Sequence, residues 1–339
     1  MKDKTMVNLP ALVSGIIFFL ALNMQPAKKI LQHFSGLHFS REYVCFALES
    51  FPDPIRVYQE QDGHIIKEFT GAHLFVGYSP LVFVIPGNEA PEKLQLLFSH
   101  ATYSPNEAFL QKDALAILQL KRIHQQTVGT DSIGYYEGVH GTHRFLSGFQ
   151  QWINGLINNW YNKKPGNVFL PNELYRQVQI AYSVPRIISL ITIKIGEGVN
   201  LFPTDLHGPV GEYHYIISLR TGGKACEQVK QAGRLLLSQV DAKQAATVYS
   251  LGKNHMEELK TVSDLPFSKE NIDGLDWPIP QGAISCQELE LLESTTIGIH
   301  EIHLFRIRAK RILNTEAERL AHIHNAYASW QRGQQLACQ

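Results

Sequence analysis

Two short runs of apolar, β-branched and aromatic residues form the clearest pattern in the chain. They cover residues 187–193 and 213–219, and their composition is typical of buried β-strands. Residues 196–198 (Gly-Glu-Gly) follow the first run and predict a tight hairpin turn. The second run leads to residues 222–224 (Gly-Gly-Lys), after which residues 225–237 suit a helix. The pattern therefore predicts two strands joined by a hairpin and a loop, followed by a helix.

The first half of the chain has a β-rich pattern that gives way to helical patterns. Residues 36–86 contain four strand-like runs, and Asp62-Gly63 predicts a hairpin turn between two of them. Residues 92–126 carry leucines at spacings of three and four, which predicts helix. Further helices are predicted over the aromatic segment 149–160 and over the tail at 314–330.

The charge of the chain argues against one class of partner, and its cysteine content argues against two kinds of structural site. The chain of 339 residues has 31 basic and 31 acidic residues without a dense basic run, which argues against nucleic acid as the main partner. Cys45, Cys226, Cys286 and Cys338 are far apart and lack Cys-x-x-Cys spacing, so they predict neither a zinc site nor a disulfide framework. We expect them to be buried apolar residues or part of a loose tail.

An uncharged apolar run over residues 9–22 follows a start that contains Lys2 and Lys4. It is too short to span a bilayer comfortably, although it has the length of a signal-peptide core. No small-x-small cleavage pattern follows it, so we favour a short buried helix or a start assigned too far upstream over export. The expected location is the cytoplasm.

Two histidines, His140 and His143, lie near Glu137 in a glycine-rich segment. They could bind a metal ion together with Glu137, but an H-x-x-H pair without a further clustered ligand is weak evidence. We favour a surface loop whose polar side chains cap a helix that begins near Thr142. No metal site is predicted.

The glycine turn after the second strand is a candidate anion site. Backbone N–H groups of Gly222 and Gly223, together with those at a helix start, can hold a phosphate. Arg220 and Lys224 add two positive charges beside them. Ordinary strand-to-helix connections have the same pattern, so the turn alone leaves both interpretations open.

The order of these pieces resembles the flavin reductase-like family. The family's FMN-binding split β-barrel opens with a Pro-Arg-led strand, as at Pro185-Arg186, and an Asn-x-x-Pro loop, as at residues 200–203. Residues 218–252 are similar to its helix and following strand, and residues 264–307 to a closing section with two long antiparallel strands. The similarity covers about residues 178–312. It implies bound FMN, NADH or NADPH as the hydride donor, and a homodimer.

The sequence departs from the family pattern at positions where the resemblance implies contact with the cofactor. Asp205 follows Thr204 where the family often has serine or threonine, and a carboxylate repels a phosphate at close range. We therefore expect Asp205 to face the flavin ring, the substrate or solvent. Residues 224–226 (Lys-Ala-Cys) replace a frequent Lys-Asp-Thr turn, which removes one phosphate-binding hydroxyl. Ser218, Thr221 and Thr204 are candidates to replace it.

His300 matches a histidine often found in this family and is the residue that the resemblance places near the redox centre. His207 and Tyr213 are further side chains of a type that tunes a flavin. The candidate cofactor-binding residues are Asn200, Thr204, Asp205, Ser218, Arg220, Thr221, Gly222, Gly223 and Lys224.

The predicted fold class is α+β, with a C-terminal FMN-binding split β-barrel and a mixed α/β-strand N-terminal domain. The predicted segments are an apolar stretch at 1–27, the N-terminal domain at 28–162, the barrel at 168–312 and a helical tail at 313–339. A polar linker with Pro and Gly is predicted at 163–167. The predicted function is an NAD(P)H-dependent flavin oxidoreductase; the alternative is a non-catalytic flavin- or ligand-binding module with a partner-binding N-terminal domain.

Residues 62–86 are weakly similar in pattern to residues 198–220, because each has a glycine turn, a polar loop and an apolar strand. We favour a coincidence of short β-patterns as the explanation. A duplicated half-barrel is the alternative.

Overall fold

The computed structural model describes residue 32 and residues 34–87, 91–128, 131–161, 168–269 and 275–337. The apolar run at 9–22, the predicted linker at 163–167 and Cys338 lie outside these residues. Within the described ranges, no helix is long and apolar enough to cross a membrane.

The described residues contain strands from one end to the other, with helices between them. The strands of the first half are β1 (Tyr43–Ala47), β2 (Arg56–Gln61), β3 (His64–Glu68), β4 (Leu74–Tyr78), β5 (Leu81–Pro86), β6 (Lys93–Ser99), β7 (Ala116–Val128) and β8 (Asp131–His143). Those of the second half are β9 (Arg186–Ile187), β10 (Ser189–Ile195), β11 (Gly198–Thr204), β12 (His207–Val210), β13 (His214–Arg220), β14 (Arg234–Val240), β15 (Ala283–Ile297), β16 (His300–Ile312) and β17 (Leu320–His324). The α-helices are α1 (Gly148–Tyr161), α2 (Asn172–Ala181), α3 (Lys224–Ala232), α4 (Ala245–Ser250) and α5 (Asn325–Ala337).

The two large sheets have the same topology. The first has the strand order β3-β2-β6-β7-β8-β5-β4, and the second has the order β11-β10-β14-β15-β16-β13-β12. Adding eight to each strand number of the first sheet gives the second, and the paired strands in both are antiparallel. A third sheet has the order β1-β17-β9. The identical order supports the alternative of a duplicated half-barrel over a coincidence of short patterns.

The two large sheets also share a core through equivalent positions. Matching the β5–β8 pairing to the β13–β16 pairing aligns Val84 with Ile216 and Tyr135 with Leu304. All four of these side chains are buried in one apolar cluster. The cluster draws its side chains from both large sheets. The first sheet therefore packs against the second through a shared apolar core.

Backbone contacts divide the chain into two compact units. Of the described residues, one unit contains those within 32–44, 145–169 and 324–337, and the other contains those within 45–144 and 170–323. Both large sheets lie in the second unit. In the first unit, Tyr327 is fully buried and its ring contacts Phe145 and Trp330. Segments that are distant in the sequence thus share a core, whereas the predicted domains were continuous.

The helix predicted over residues 92–126 is wrong, because this region forms β6 and β7. β6 pairs with β2 on one edge and with β7 on the other. Its leucines and Phe98 are buried between these neighbours. Leucine favours helix intrinsically, but such propensities amount to less than about 1 kcal/mol per residue and are outweighed by tertiary packing.

The glycine-rich segment with His140 and His143 is strand β8 rather than a loop, and no helix begins near Thr142. A Cβ atom at Gly138 would lie 2.2 Å from the Gln177 side-chain oxygen. The glycines of β8 therefore allow helix α2 to approach the sheet closely. His140 pairs with Glu173 of that helix at 3.0 Å, which gives this histidine a packing role.

Two further boundaries differ from prediction. The helix expected over 225–237 ends at Ala232, because Gly233 adopts the left-handed conformation with φ of 63° that terminates helices. Strand β14 begins at the next residue. The tail predicted as one helix over 314–330 contains strand β17 before α5 begins at Asn325. The predicted strands around the 196–198 hairpin are confirmed as β10 and β11.

Candidate functional site

The predicted anion turn lies at the end of β13. The turn passes through Thr221 and Gly222, whose φ of 77° is left-handed, and enters α3 at Lys224. The Thr221 N–H donates to the carbonyl of Ile299 at 2.8 Å, which ties the turn to the β15–β16 hairpin. Lys224 is exposed and forms an ion pair with Glu258 at 2.6 Å. The turn thus has a glycine backbone, a helix start and a cation at its rim.

His300 lies beside this turn because it opens β16 directly opposite Arg220 of β13. Its side chain is buried, and its Nε2 accepts a hydrogen bond from the backbone N–H of Tyr78 at 3.3 Å. The proton is therefore on Nδ1, which lies 3.3 Å from the Ser218 hydroxyl. Burial lowers the pKa of His300 to about 4, and the positive charge of Arg220 acts in the same direction. His300 is a neutral imidazole at physiological pH.

Asp205 is a half-buried carboxylate that accepts hydrogen bonds from two donors. Its Oδ2 accepts hydrogen bonds from the Tyr182 hydroxyl at 2.8 Å and from His322 Nε2 at 2.9 Å. Burial raises the pKa of Asp205, but the bonds from His322 and Tyr182 outweigh this and hold the pKa at about 2. The Asp205 side chain is 23% exposed, so it is neither fully buried nor free in solvent. The carboxylate keeps its negative charge at any physiological pH.

A small cavity opens over this carboxylate. It has a volume of about 210 Å³ and is lined by Ile188, Pro203, Thr204, Asp205, Val248, Tyr249, Gly252 and His322. Most of this lining is apolar, and the carboxylate and imidazole provide its polar groups. Pockets for cofactor-sized ligands usually measure about 300–1,000 Å³. The cavity is therefore suited to a flat part of a ligand whose remainder lies outside it.

Two more polar side chains lie in the same buried region. His207 Nδ1 lies 2.8 Å from the Tyr215 hydroxyl and its Nε2 lies 3.2 Å from the carbonyl of Ile187. Burial lowers the pKa of His207 to about 4, although the Asp205 charge opposes the change. Burial also lowers the pKa of Arg186 to about 10, and its guanidinium lies 5.2 Å from the ring centre of Phe75. The negative charge of Asp205 attracts the positive charge of Arg186 and so opposes the lowering of the Arg186 pKa by burial.

Asn200 and Tyr213 lie in different surroundings from the other candidates. Asn200 is fully buried, and its amide donates to Gln228 at 2.7 Å and to the carbonyl of Asn254 at 3.1 Å. The bond to Gln228 connects β11 to helix α3, and the bond to Asn254 connects β11 to the short 3-10 helix Leu251–Met256. Tyr213 is 64% exposed. Neither side chain contacts His300 or Asp205 through an observed hydrogen bond within the described ranges.

The predicted residues fall into two neighbouring groups. Ser218, Arg220, Thr221, Gly222, Gly223, Lys224 and His300 form one group at the end of β13 and β16. Thr204 and Asp205 form the second group, at the cavity. The negative charge of Asp205 slightly opposes the lowering of the His300 pKa.

Sequence reasoning missed Tyr182 and His322, which hold Asp205. His322 is 117 positions from Asp205, and no local spacing in the sequence connects the two. Arg186 was noticed only as the start of a strand. These three residues acquire their roles through tertiary contacts.

No protein-family model matches the sequence, and no curated protein is significantly similar to it. Several solved structures are similar over part of the chain. An FMN-binding protein from Thermus thermophilus is 22% identical, with 39% of this chain and 74% of that chain covered and a TM-score of 0.35. The styrene monooxygenase flavin reductase from Pseudomonas putida S12 is 18% identical, with 44% and 92% covered and a TM-score of 0.36.

An NADH:FAD oxidoreductase from Streptomyces globisporus C-1027 is 12% identical, with 48% of this chain and 95% of that chain covered and a TM-score of 0.39. Part of this chain resembles flavin reductases and FMN-binding proteins. The resemblance predicted from the sequence is confirmed to that extent. It extends over less than half of the chain and carries no statement about activity.

Proposed function

We propose that this protein binds FMN at the 220–224 turn and passes electrons from NADH or NADPH through it to a flavin or a small acceptor. The observation that carries the proposal is that Ser218, Arg220 and His300 lie close together. The sequence had suggested these residues individually, without showing that they are neighbours. Strands β13 and β16 bring them together beside the glycine turn. The sequence resemblance supplies the identity of the cofactor.

The turn has the groups that a phosphate needs. The N–H groups of Gly222 and Gly223 and the start of α3 provide oriented dipoles, and Arg220 and Lys224 provide charge. Lys224 forms an ion pair with Glu258, but both side chains are exposed, and such pairs contribute at most about 1 kcal/mol. A bound phosphate can therefore replace Glu258 as the partner of Lys224.

The cavity beside Thr204 and Asp205 is the candidate place for the flat part of the cofactor. Its walls are mostly apolar, and the fixed charge of Asp205 disfavours a second anion there. His300 carries its proton on Nδ1 and is positioned by Ser218 and Tyr78. Bound flavin would supply the redox chemistry itself, so the side chains need only bind, orient and exclude water. Asn200 supports the site by fixing β11.

A second candidate is a flavin-binding module without turnover. Cys226 replaces a hydroxyl of the family's turn, and its thiol contacts Glu301 and His303 rather than the turn backbone. The phosphate would then be held with one hydroxyl fewer. Retained flavin that is not reduced by NADH or NADPH would support this candidate over the oxidoreductase.

The phosphate site is tested by comparing FMN with riboflavin, which lacks the phosphate. We expect the double variant Arg220→Ala, Lys224→Ala to lose about 10- to 1,000-fold in FMN affinity, because two charge-assisted contacts disappear. Riboflavin affinity should remain nearly unchanged. Glu258→Gln should tighten FMN binding, because it frees Lys224. Fluorescence quenching of the flavin measures all three values.

The matched control is Lys194→Ala, which removes another exposed lysine that pairs with an exposed carboxylate, Asp276. It should leave FMN affinity unchanged. Equal losses for FMN and riboflavin in the double variant would contradict a phosphate site at this turn. Anaerobic addition of NADH and then NADPH to the FMN complex decides the reaction: bleaching of the flavin bands supports the oxidoreductase, and unchanged bands support the binding module.

We further propose that the two large sheets of a single chain form a two-barrel unit. The family resemblance implies that two chains of a homodimer form such a unit. The two large sheets already share one apolar cluster, to which Val84 of the first and Ile216 of the second belong. The connection equivalent to the anion turn, between β5 and β6, is residues 87–92 (Gly-Asn-Glu-Ala-Pro-Glu). It contains two acidic residues and no basic residue, so it lacks the charges for a phosphate.

This arrangement predicts a stoichiometry. We expect one FMN per chain and the mass of a single chain in solution. Light scattering combined with the absorbance ratio of flavin to protein measures both quantities. Two flavins per chain, or flavin bound only by a two-chain species, would contradict the proposed division between the sheets.

A further inference from the structure

We propose that Cys226, Glu301 and His303 form a binding site for a divalent metal ion of the zinc type. This site does not depend on the proposed flavin chemistry and uses none of its candidate residues. Its three ligand atoms are the Cys226 Sγ, a Glu301 carboxylate oxygen and the His303 Nε2. Among the described residues, these atoms all lie within 4.8 Å of one another.

The backbone brings the three side chains together. Glu301 and His303 are two positions apart on β16, so their side chains extend from the same face of the sheet. Cys226 lies in the first turn of α3, which packs on that sheet. Its Sγ is 2.9 Å from Glu301 Oε2 and 3.7 Å from His303 Nε2. Cys226 and His303 are both almost completely buried.

These separations are close to those of a tetrahedral site. With zinc bonds of about 2.3 Å to sulfur and about 2.0 Å to nitrogen, the two ligand atoms stand about 3.5 Å apart. The observed sulfur-to-nitrogen distance of 3.7 Å is close to this value. The sulfur-to-oxygen distance of 2.9 Å, across which the thiol donates to the carboxylate, is shorter than this value. It needs to lengthen by about 0.6 Å when a metal replaces the thiol proton.

His303 is oriented as metal-binding histidines are. Its Nδ1 lies 2.8 Å from the Ser294 hydroxyl on the neighbouring strand. When Nδ1–H donates to that oxygen, the lone pair of Nε2 faces Cys226, and such outer partners fix the ring of metal-binding histidines. Burial lowers the pKa of His303 to about 4, so the imidazole is neutral and available as a ligand.

Charge also favours a divalent ion. The deprotonated cysteine and Glu301 would together carry two negative charges, which a divalent ion neutralises. In the structure, Lys230 lies 3.0 Å from Glu301 and provides a positive charge that neutralises the carboxylate. Its side chain is half exposed and can turn to solvent when a metal binds.

One cysteine, one histidine and one carboxylate leave a fourth position for water. The Glu301 side chain is 12% exposed, so water can reach the cluster from that edge. A mixed set of sulfur, nitrogen and oxygen ligands is typical of zinc and also accepts cobalt. The competing explanation is a metal-free network in which Glu301 bridges Cys226 and Lys230.

Cobalt(II) provides the test because its spectrum reports the ligands. The full chain, freed of metal with a chelator, is titrated with Co²⁺. We expect a thiolate-to-cobalt charge-transfer band together with the intense visible bands of a four-coordinate ion. Both should disappear on addition of one equivalent of Zn²⁺. Their absence, or saturation with the weak visible bands of hydrated cobalt alone, would overturn the proposal.

Three variants assign the ligands. Cys226→Ala and His303→Gln should each abolish the charge-transfer band or weaken cobalt binding more than 10-fold. Cys286→Ala is the matched control: Cys286 is also a buried free thiol, and it is outside the cluster. It should leave the band unchanged. Survival of the band in Cys226→Ala, or its loss in Cys286→Ala, would contradict the assignment.

Lys230→Gln keeps the test decisive if the cysteine variant does not fold. Removal of the competing cation should tighten cobalt binding several-fold, whereas a metal-free network predicts no cobalt binding in either protein. FMN affinity measured on the same samples should not change in Lys230→Gln. The experiments therefore test the proposed metal site and the proposed flavin site independently of each other.

Discussion

Acidification from pH 7 to pH 5 is expected to lower the free energy of unfolding by several kcal/mol. His73, His300 and His303 are buried and His207 is half-buried, and burial lowers the pKa of each to about 4. In the unfolded chain, histidine has a pKa of about 6.5. The unfolded state therefore binds protons first as the pH falls, and stability is lost between pH 6.5 and pH 4.

The size of this effect follows from the same values. At pH 5, one histidine whose pKa falls from about 6.5 to about 4 on folding costs about 2 kcal/mol. Four such groups set an upper bound of about 8 kcal/mol, comparable with the whole stability of many domains. Below pH 4, Asp205 adds a further loss, because its folded pKa of about 2 is below its unfolded value of about 4.

Urea unfolding at pH 7, 6 and 5 measures this dependence. The midpoint should fall steeply with pH while the slope of the transition stays constant. His303→Gln should reduce the pH dependence by removing one of the four groups. His64→Gln, a change at an exposed histidine, should leave the dependence unchanged. Stability that is constant from pH 7 to pH 5 would contradict the assignment of buried neutral histidines.

Replacement of Gly298 by alanine is expected to destabilise the protein by about 3 kcal/mol or more. Gly298 has φ of 59° in the turn between β15 and β16. A Cβ atom there would lie 2.2 Å from both Pro80 Cδ and the carbonyl oxygen of Ser79. The left-handed conformation costs an L-residue about 1–2 kcal/mol, and overpacking adds about 1–3 kcal/mol.

The effect should extend to the candidate site. Ser79 and Pro80 follow β4 of the first sheet, and the Ile299 N–H donates to the Ser79 carbonyl at 3.1 Å. Movement of this turn would displace His300, which is hydrogen-bonded to the N–H of Tyr78. We therefore expect Gly298→Ala to weaken flavin binding as well as stability, because the same contact joins the two sheets and positions His300.

Gly196→Ala is the matched control for this substitution. Gly196 also has positive φ, 58°, in a hairpin turn, but no atom outside its immediate neighbours lies within 4 Å of a Cβ there. Only the conformational cost of about 1–2 kcal/mol is expected. Chemical unfolding of both variants at pH 7 gives the comparison. Equal losses of stability would contradict the close approach at Gly298.

Local patterns were sufficient where the chain interacts mainly with its sequence neighbours. The strands on either side of residues 196–198 and the turn at 222–224 were predicted because glycine punctuation and β-branched runs act over a few residues. The site group around Arg220 was predicted for the same reason. His300 was added through the family resemblance, and the register of β13 and β16 brings it to Arg220.

Residues 92–126 show where local pattern fails. Their leucine spacing fits a helix, yet the edges of β2 and β8 provide partners that turn the region into strands. Asp205 is a second case, because Tyr182 and His322 decide its pKa and neither is near it in sequence. The cluster of Cys226 with Glu301 and His303 is a third, although the alternation of the last two on one strand was visible.

The sequence alone was enough to predict the β10–β11 hairpin, the composition of the anion turn and the resemblance to flavin reductases. The repetition of the seven-strand order in the first half, and the packing of the two sheets in one apolar cluster, became apparent only from the folded chain. The folded chain also shows which polar groups lie together. The physical reason is that short-range conformational preferences are encoded in neighbouring residues, whereas strand pairing, burial and pKa depend on residues that only folding brings into contact.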